Sequence, residues 1–257
     1  MKRRHNLSVL LASLLLTSSN LFAFTLMGSD QDKGMAIAKE SDLRDRGWTD
    51  SISEMKMTLR NRSGDESIRE LRISNLEVAN DGDKSLTVFD SPKDVRGTGF
   101  LSFSHINEAD DQWLYLPALK RVKRISSKNK SGPFMGSEFS FEDLSSFEVD
   151  KYDYRYLGEE IINSIVSYKL EMTPRYQHSG YTRLVTWVDQ KEFRIQQIQF
   201  YDRKKTLLKT QTYKNYRHYL GQYWRAHTME MSNHQTGKFT MLEFDDYKFQ
   251  TGLNEQA

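Results

Sequence analysis

From residue 48 onward, apolar and polar side chains alternate in short segments separated by turn-forming residues. Met55, Met57 and Leu59 alternate with polar residues, for example, and Asp81-Gly82 is a hairpin signal further along. A period of two is typical of strands with one buried face. About ten or eleven strands joined by short turns predict a single antiparallel meander. The sequence therefore predicts a mainly β fold with few helices.

A sheet of this kind must close on itself or be covered, because its edges and apolar face are otherwise exposed. One cover is a helix near the start of the chain. Ser29 and Asp32 match a capping box, and Gly47 is a natural helix stop. We therefore expect one helix between these residues.

The second available cover is the stretch 126–146, a long segment that combines turn residues with apolar ones. It contains Phe134, Met135, Phe139 and Phe141. A long apolar loop is often functional, but the same side chains could simply plug the core beneath a surface loop. The sequence leaves both interpretations open.

The first 23 residues have the order of a secretory signal peptide. Lys2, Arg3 and Arg4 precede an apolar run over 7–16, and Ala23 is a small residue suited to the cleavage site. The run is shorter than the roughly 20 residues that span a bilayer. We expect residues 1–23 to be removed on export to the periplasm. No linker divides residues 24–257, which we interpret as one domain.

Composition and motifs exclude several functions. With no cysteine in the chain, there is neither a thiol nucleophile nor an acylated N-terminal cysteine, so we expect no lipid anchor. A net charge of +2 does not indicate nucleic-acid binding. No catalytic motif or cofactor-binding loop is visible. His218, His227 and His234 lack metal-ligand spacing, and the pair Asp110-Asp111 is interpreted as a solvated turn.

The densest charge feature is the basic run of Lys120, Arg121, Lys123 and Arg124. It could dock to an anionic membrane surface or to an acidic partner. Alternatively, it is the solvated edge of a sheet, protected against aggregation by its charge.

Four segments together resemble the outer-membrane lipoprotein-sorting proteins, the LolA-like family. They are DDQWLYLPALKRVKRI at 110–125, SGPFMGSEFSFEDL at 131–144, DVRGTGFL at 94–101 and RDRGW at 44–48. The likeness extends over nearly the whole chain after residue 23. It implies one strongly curved antiparallel sheet, an unclosed barrel, whose concave side is lidded by helix and loop.

The resemblance also implies a function. Such proteins hold acyl chains in an apolar hollow, and this subgroup is similar to proteins associated with transporters of the resistance-nodulation-division type. We expect a periplasmic carrier or chaperone for a lipid or lipoprotein, in transient contact with membranes. Two alternatives stay open: an envelope sensor, and a lipid hydrolase with Ser, His and an acid clustered in the hollow.

Apolar and flexible side chains are the candidates for the lining of such a hollow. An acyl chain in water costs about 0.8 kcal/mol per CH₂, so a carrier needs an enclosed apolar groove. Flexible methionine side chains could adapt to different chains, although they could equally be ordinary core residues. The predicted ligand-binding residues of the hollow or lid are Met55, Met57, Leu59, Trp113, Tyr115, Phe134, Met135, Phe139, Met229 and Met231.

Overall fold

The computed structural model describes residues 24–255, so the predicted signal peptide lies outside the described part of the chain. It has one α-helix, α1 (Asp30–Arg44), and thirteen strands within these residues. The strands are β1 (Asp50–Arg60), β2 (Glu66–Leu76), β3 (Lys84–Ser91), β4 (Gly99–Phe103), β5 (Asp111–Leu116), β6 (Arg121–Ile125), β7 (Tyr152–Ile162), β8 (Ile165–Pro174), β9 (Tyr181–Asp189), β10 (Ile195–Asp202), β11 (Leu207–Tyr219), β12 (Tyr223–Asn233) and β13 (Phe239–Phe249).

All thirteen strands belong to one sheet, in the order β6-β5-β4-β3-β2-β1-β13-β12-β11-β10-β9-β8-β7. Every neighbouring pair is antiparallel. The sheet therefore consists of two meanders joined where β1 pairs with β13, and β6 and β7 are its two edges. This confirms the predicted unclosed antiparallel sheet, although the sheet has more strands than the ten or eleven expected.

The sheet is strongly curved. Laid flat, thirteen strands would span roughly 60 Å. Instead, buried side chains from distant strands share one hydrophobic cluster, for example Phe100 of β4, Leu184 of β9 and Phe200 of β10. The two edges also approach each other, because Asp110, just before β5, forms an ion pair with Lys151, just before β7. Within residues 24–255, no helix is both long and apolar enough to span a membrane.

The predicted helix and its cap are confirmed. The hydroxyl of Ser29 accepts a hydrogen bond from the amide of Asp32 at 3.2 Å, and the Asp32 carboxylate accepts from the Ser29 amide at 2.9 Å. This helix, α1, packs on the concave face beside β7 and β8. Ile37 is fully buried in a cluster that includes Tyr168 and Leu170 of β8.

The helix approaches β7 closely at Gly34. A Cβ atom at this position would lie 3.0 Å from the Cβ of Tyr154 and 3.1 Å from the backbone nitrogen of Arg155. A larger residue would therefore push α1 away from the strand.

We expect Gly34→Leu to lower the free energy of unfolding by about 1–3 kcal/mol, because the added side chain meets the strand backbone. Urea denaturation followed by circular dichroism would measure the change. Lys39→Leu adds the same side chain at an exposed position of the same helix and should change stability by less than about 0.5 kcal/mol. Equal losses in the two variants would contradict this packing.

Candidate functional site

The connection between the two sheet edges crosses the concave face. We call residues 126–151, which run from the end of β6 to the start of β7, the plug. Its apolar side chains fill the space enclosed by the sheet. Phe134 is 1% exposed and Phe139 is 2% exposed, and the ring centroid of Phe134 lies 5.1 Å from that of Phe100. A tight turn at Met135 and Gly136, both with positive φ, reverses the direction of the chain between the two phenylalanines.

Most of the predicted lining residues meet around the plug. Met55, Met57, Phe134, Phe139 and Met231 belong to the main buried cluster. Leu59, Met135 and Met229 are partly buried and pack against the same cluster. The concave face thus unites methionines from both halves of the sheet with the phenylalanines of the plug. Whether these side chains bind a ligand stays a prediction.

The structure does not bring Trp113 and Tyr115 to this cluster. Gln112 and Leu114 are the buried residues of β5, so the alternating Trp113 and Tyr115 side chains lie on the outer face of the sheet. The ring of Trp113 packs edge-on against Phe103 there, with centroids 5.2 Å apart. The amide of Gln112 instead donates a hydrogen bond to the plug, at the carbonyl of Phe141.

Both ends of the plug are held by one buried carboxylate, Asp110. Lys130 donates to it at 2.8 Å, Lys151 also forms an ion pair with it, and the Ser145 hydroxyl donates at 2.9 Å. The three charged side chains are at most 10% exposed. Asp110 was interpreted from the sequence as a solvated turn residue, and this is wrong because distant plug residues cover it.

The electrostatics of this anchor follow from its surroundings. Burial by itself would raise the pKa of Asp110, but the charges and hydrogen bonds of Lys130 and Lys151 outweigh burial and lower this pKa below its ordinary value of 3.8. The carboxylate is therefore ionised at neutral pH. A single carboxylate then neutralises part of the charge of two buried ammonium groups.

Two further acidic side chains of the plug bind the second half of the sheet. Asp143 accepts hydrogen bonds from the Tyr181 hydroxyl at 2.6 Å and from Lys209 of β11. Glu142 accepts from the Tyr176 hydroxyl at 2.6 Å and from the backbone of Gly180 at 2.8 Å. Burial, and then neighbouring charge, raises the pKa of both tyrosines, so the phenols stay protonated and act as donors.

Hydrogen bonds to backbone atoms secure the middle of the plug. The backbone amide of Glu138 donates to the Thr240 hydroxyl of β13 at 3.0 Å, and its carbonyl accepts from Lys209 at 2.9 Å. Arg69 of β2 donates to the carbonyl of Met135 at 2.5 Å. The plug therefore contacts both meanders and the central strands.

Several clefts border the plug, and two of them lie near its ends. One, of about 920 Å³, includes Lys128, Lys130 and Lys151 in its lining. The other, of about 910 Å³, lies near the end of α1 and is acidic. There burial raises the pKa of Asp83 to about 6 and that of Glu148 to about 7.

Histidines and metal ligands do not form a site in the described residues. Within residues 24–255, no group of three or more His, Asp or Glu residues could hold a metal ion. The buried ring of His227 is hydrogen bonded to the Tyr219 hydroxyl at 2.7 Å, His105 to Asp81 at 2.8 Å and His234 to Thr210 at 2.7 Å. None of these three histidines has a serine as its partner, which the hydrolase alternative would need.

The fold and the plugged concave face define a class of proteins with one open, curved sheet. A family model described only as "Uncharacterized protein" matches residues 81–257. An outer membrane lipoprotein-sorting protein domain from Vibrio parahaemolyticus is 57% identical, with 88% of this chain and 96% of that chain covered and a TM-score of 0.87. A DUF1329 family protein from Desulfovibrio piger is 32% identical, with 89% and 96% covered and a TM-score of 0.84.

A LolA superfamily protein from Nitrosomonas europaea shares the fold, with a TM-score of 0.69, 22% identity and 90% and 97% of the chains covered. No curated protein sequence matches the chain. The chain belongs to the family of outer membrane lipoprotein-sorting protein domains and DUF1329 proteins, and it shares its fold with the LolA superfamily protein. The resemblance inferred from the sequence segments is thereby confirmed.

We expect Asp110→Asn to lower the free energy of unfolding by about 3–5 kcal/mol, because it leaves two buried ammonium groups without a counter-charge. Because the pKa of Asp110 is lowered in the folded protein, its contribution is present above 3.8 and is lost as the pH falls through the lowered value. The variant should therefore lack this part of the acid destabilisation.

Urea denaturation over a pH series measures both effects. Asp153→Asn is the matched control, since this carboxylate is 74% exposed and its ion pair with Arg175 spans 3.7 Å. An Asp110 variant as stable as the control variant would contradict the anchoring role.

Proposed function

We propose that this protein is a periplasmic carrier or chaperone that binds the acyl chains of a lipid or lipoprotein on its concave face. Membership of the family of outer membrane lipoprotein-sorting protein domains and the apolar cluster beneath the plug support this proposal. The proposed activity is binding without catalysis. In this proposal an inner-membrane transporter of the resistance-nodulation-division type exchanges cargo with the carrier, as the resemblance implies.

The plug has to move for such a ligand to bind. Phe134 and Phe139 occupy the space against Phe89, Phe100 and Met57 that an acyl chain would need. Exposing the two phenylalanines would cost about 3–6 kcal/mol. Burying a chain of about 16 carbons contributes about 13 kcal/mol relative to water. Burial of the acyl chain therefore contributes more than the exposure of these two phenylalanines costs.

The sheet side of the hollow carries flexible methionine side chains, which can adapt to acyl chains of different shape. Met55 and Met57 lie on β1, and Met229 and Met231 lie on β12, with β13 between these two strands at the centre of the sheet. Unbranched thioether side chains refill irregular space at little cost. In the proposed mechanism these methionines repack against the acyl chain while the sheet backbone stays in place.

Protein isolated gently from the periplasm should carry lipid or acylated peptide. Native mass spectrometry should find a species heavier than the bare chain, and dissociation should release an acylated molecule. The matched control is the same protein after extraction with detergent and refolding. Recovery of the bare mass alone, from several preparations, would contradict the carrier proposal.

A disulfide across the plug should block binding. A Cβ atom at Gly180 would lie 2.8 Å from the Cβ of Ser131, so a separation of the two segments by about 1 Å would give the roughly 3.8 Å between Cβ atoms that a disulfide needs. The natural chain has no cysteine, so the pair Ser131→Cys and Gly180→Cys can form only the intended bond within one chain. We expect oxidation to lower the affinity for a fluorescent fatty acid on the order of 100-fold.

Reduction of the same protein should restore binding. This distinguishes the effect of the crosslink on affinity from the effect of the two substitutions. The single variant Ser131→Cys should respond to neither oxidant nor reductant. Equal affinities of the oxidised and reduced double variant would show that the plug does not move on binding.

A further inference from the structure

The outer face of the first meander presents an uncovered apolar stripe. In the strand register, Leu86 pairs with Leu101, Leu101 with Trp113, and Tyr115 with Val122. Adjacent side chains on one face of an antiparallel sheet lie within contact distance of each other. Since the buried residues of β4 and β5 face the plug, this stripe is on the opposite side. No element of the described residues packs over it.

The stripe ends at the edge strand β6, where exposed apolar side chains lie among basic ones. Leu119 is 68% exposed and Val122 is 59% exposed. Lys120, Arg121, Lys123 and Arg124 are all exposed as well, with Arg121 and Lys123 on the other face of the same strand. We call these residues, together with Trp113 and Tyr115, the basic edge.

The charge of the basic edge is largely uncompensated. Arg124 forms an ion pair with Asp111. Among the described residues, no carboxylate lies within ion-pair distance of Lys120, Arg121 or Lys123. For a chain whose net charge is only +2, this is a local concentration of positive charge. It attracts anions over roughly a Debye length, about 8 Å at physiological salt.

We propose that the basic edge docks the protein on the surface of an anionic bilayer. Trp and Tyr side chains favour the level of the lipid head groups, and Lys and Arg bind anionic head groups while their stems lie on apolar surface. Leu119 and Val122 would enter the interface between them. The charges also oppose pairing of β6 with a strand from another protein, which favours a lipid partner over an added strand.

Docking in this orientation places the plug beside the membrane. The plug begins at Ser126, directly after Ile125, the last residue of β6. If the plug releases an acyl chain, which rests on the proposed function, it does so next to the bilayer. The docking surface itself needs no cargo, so it can be tested with cargo-free protein.

The test is sedimentation of the full protein with vesicles. We expect binding to vesicles of phosphatidylglycerol with phosphatidylethanolamine and none to phosphatidylcholine vesicles. Changing Lys120, Arg121 and Lys123 together to Ser should weaken binding on the order of 100-fold, because each basic residue near the surface contributes about fivefold. The three side chains are exposed and unpaired, so folding is preserved.

The matched control changes three exposed lysines elsewhere, Lys191, Lys204 and Lys205, to Ser and removes the same charge. Its binding should equal that of the natural protein. Tryptophan emission should shift to the blue on binding, and Trp113→Phe should abolish the shift although three tryptophans remain.

Equal losses in the two triple variants, or equal binding to neutral vesicles, would overturn the proposal. So would an absence of vesicle binding by the natural protein. Fatty-acid binding is measured separately on the same preparations, so a failure of docking is distinguishable from a failure of the carrier function.

Discussion

The apolar concave face of a single-layer sheet has no second sheet to bury it, and the rest of the structure depends on how this face is covered. The described chain covers it with α1 near β7 and β8 and with the plug elsewhere. Because the plug leaves one edge of the sheet and returns at the other, it also draws the two edges together. The ion pair between Asp110 and Lys151 is the clearest consequence. The curvature of the sheet, its buried core and the ion pairs that anchor the plug therefore all follow from the need to cover this face.

The plug is held by two kinds of contact, apolar packing and buried ion pairs, and they have different effects. Its phenylalanines are buried by apolar contacts, whereas its position is specified by buried charges: Asp110 with Lys130 and Lys151, and Asp143 with Lys209. Buried ion pairs contribute little net stability compared with apolar side chains of similar volume, because desolvation opposes the attraction. They nevertheless favour one position of the plug strongly over slightly shifted positions. A segment anchored in this way is held in one defined position, and in the proposed function it is the segment that moves.

How far the fold could be predicted depended on how local each signal was. The capping box at Ser29 and the alternation in β1 are local, and both predictions were correct. The turn at Asn163 and Ser164, where both residues have positive φ but neither is glycine, has a weaker local signal. The presence of apolar plug residues was visible as well, and the structure shows that they fill the core.

Two features of the site were not predictable because they depend on distant residues. In β5 the run from Trp113 to Leu116 is apolar throughout, so alternation could not decide which face is buried. The structure selects Leu114 together with Gln112, whose polar end is satisfied only by the plug. Asp110 likewise looks like a turn residue until Lys130 and Lys151 reach it from positions 20 and 41 residues away. Contacts between residues so far apart in the chain produce no periodic pattern or characteristic spacing that a single sequence could reveal.

The two edges of the sheet are protected in different ways, one by the packing of a helix and the other by exposed charge. The edge at β7 is adjoined by α1, whose Gly34 touches the strand backbone, so this side is held by close packing. The edge at β6 is protected by exposed charge, with four basic residues in the five positions from 120 to 124. Charge blocks strand pairing but leaves the edge free to contact another surface. Because α1 also packs against the β7 end of the plug, at Val149–Lys151, we infer that the β6 side is where the structure can open, while the α1 side stays closed.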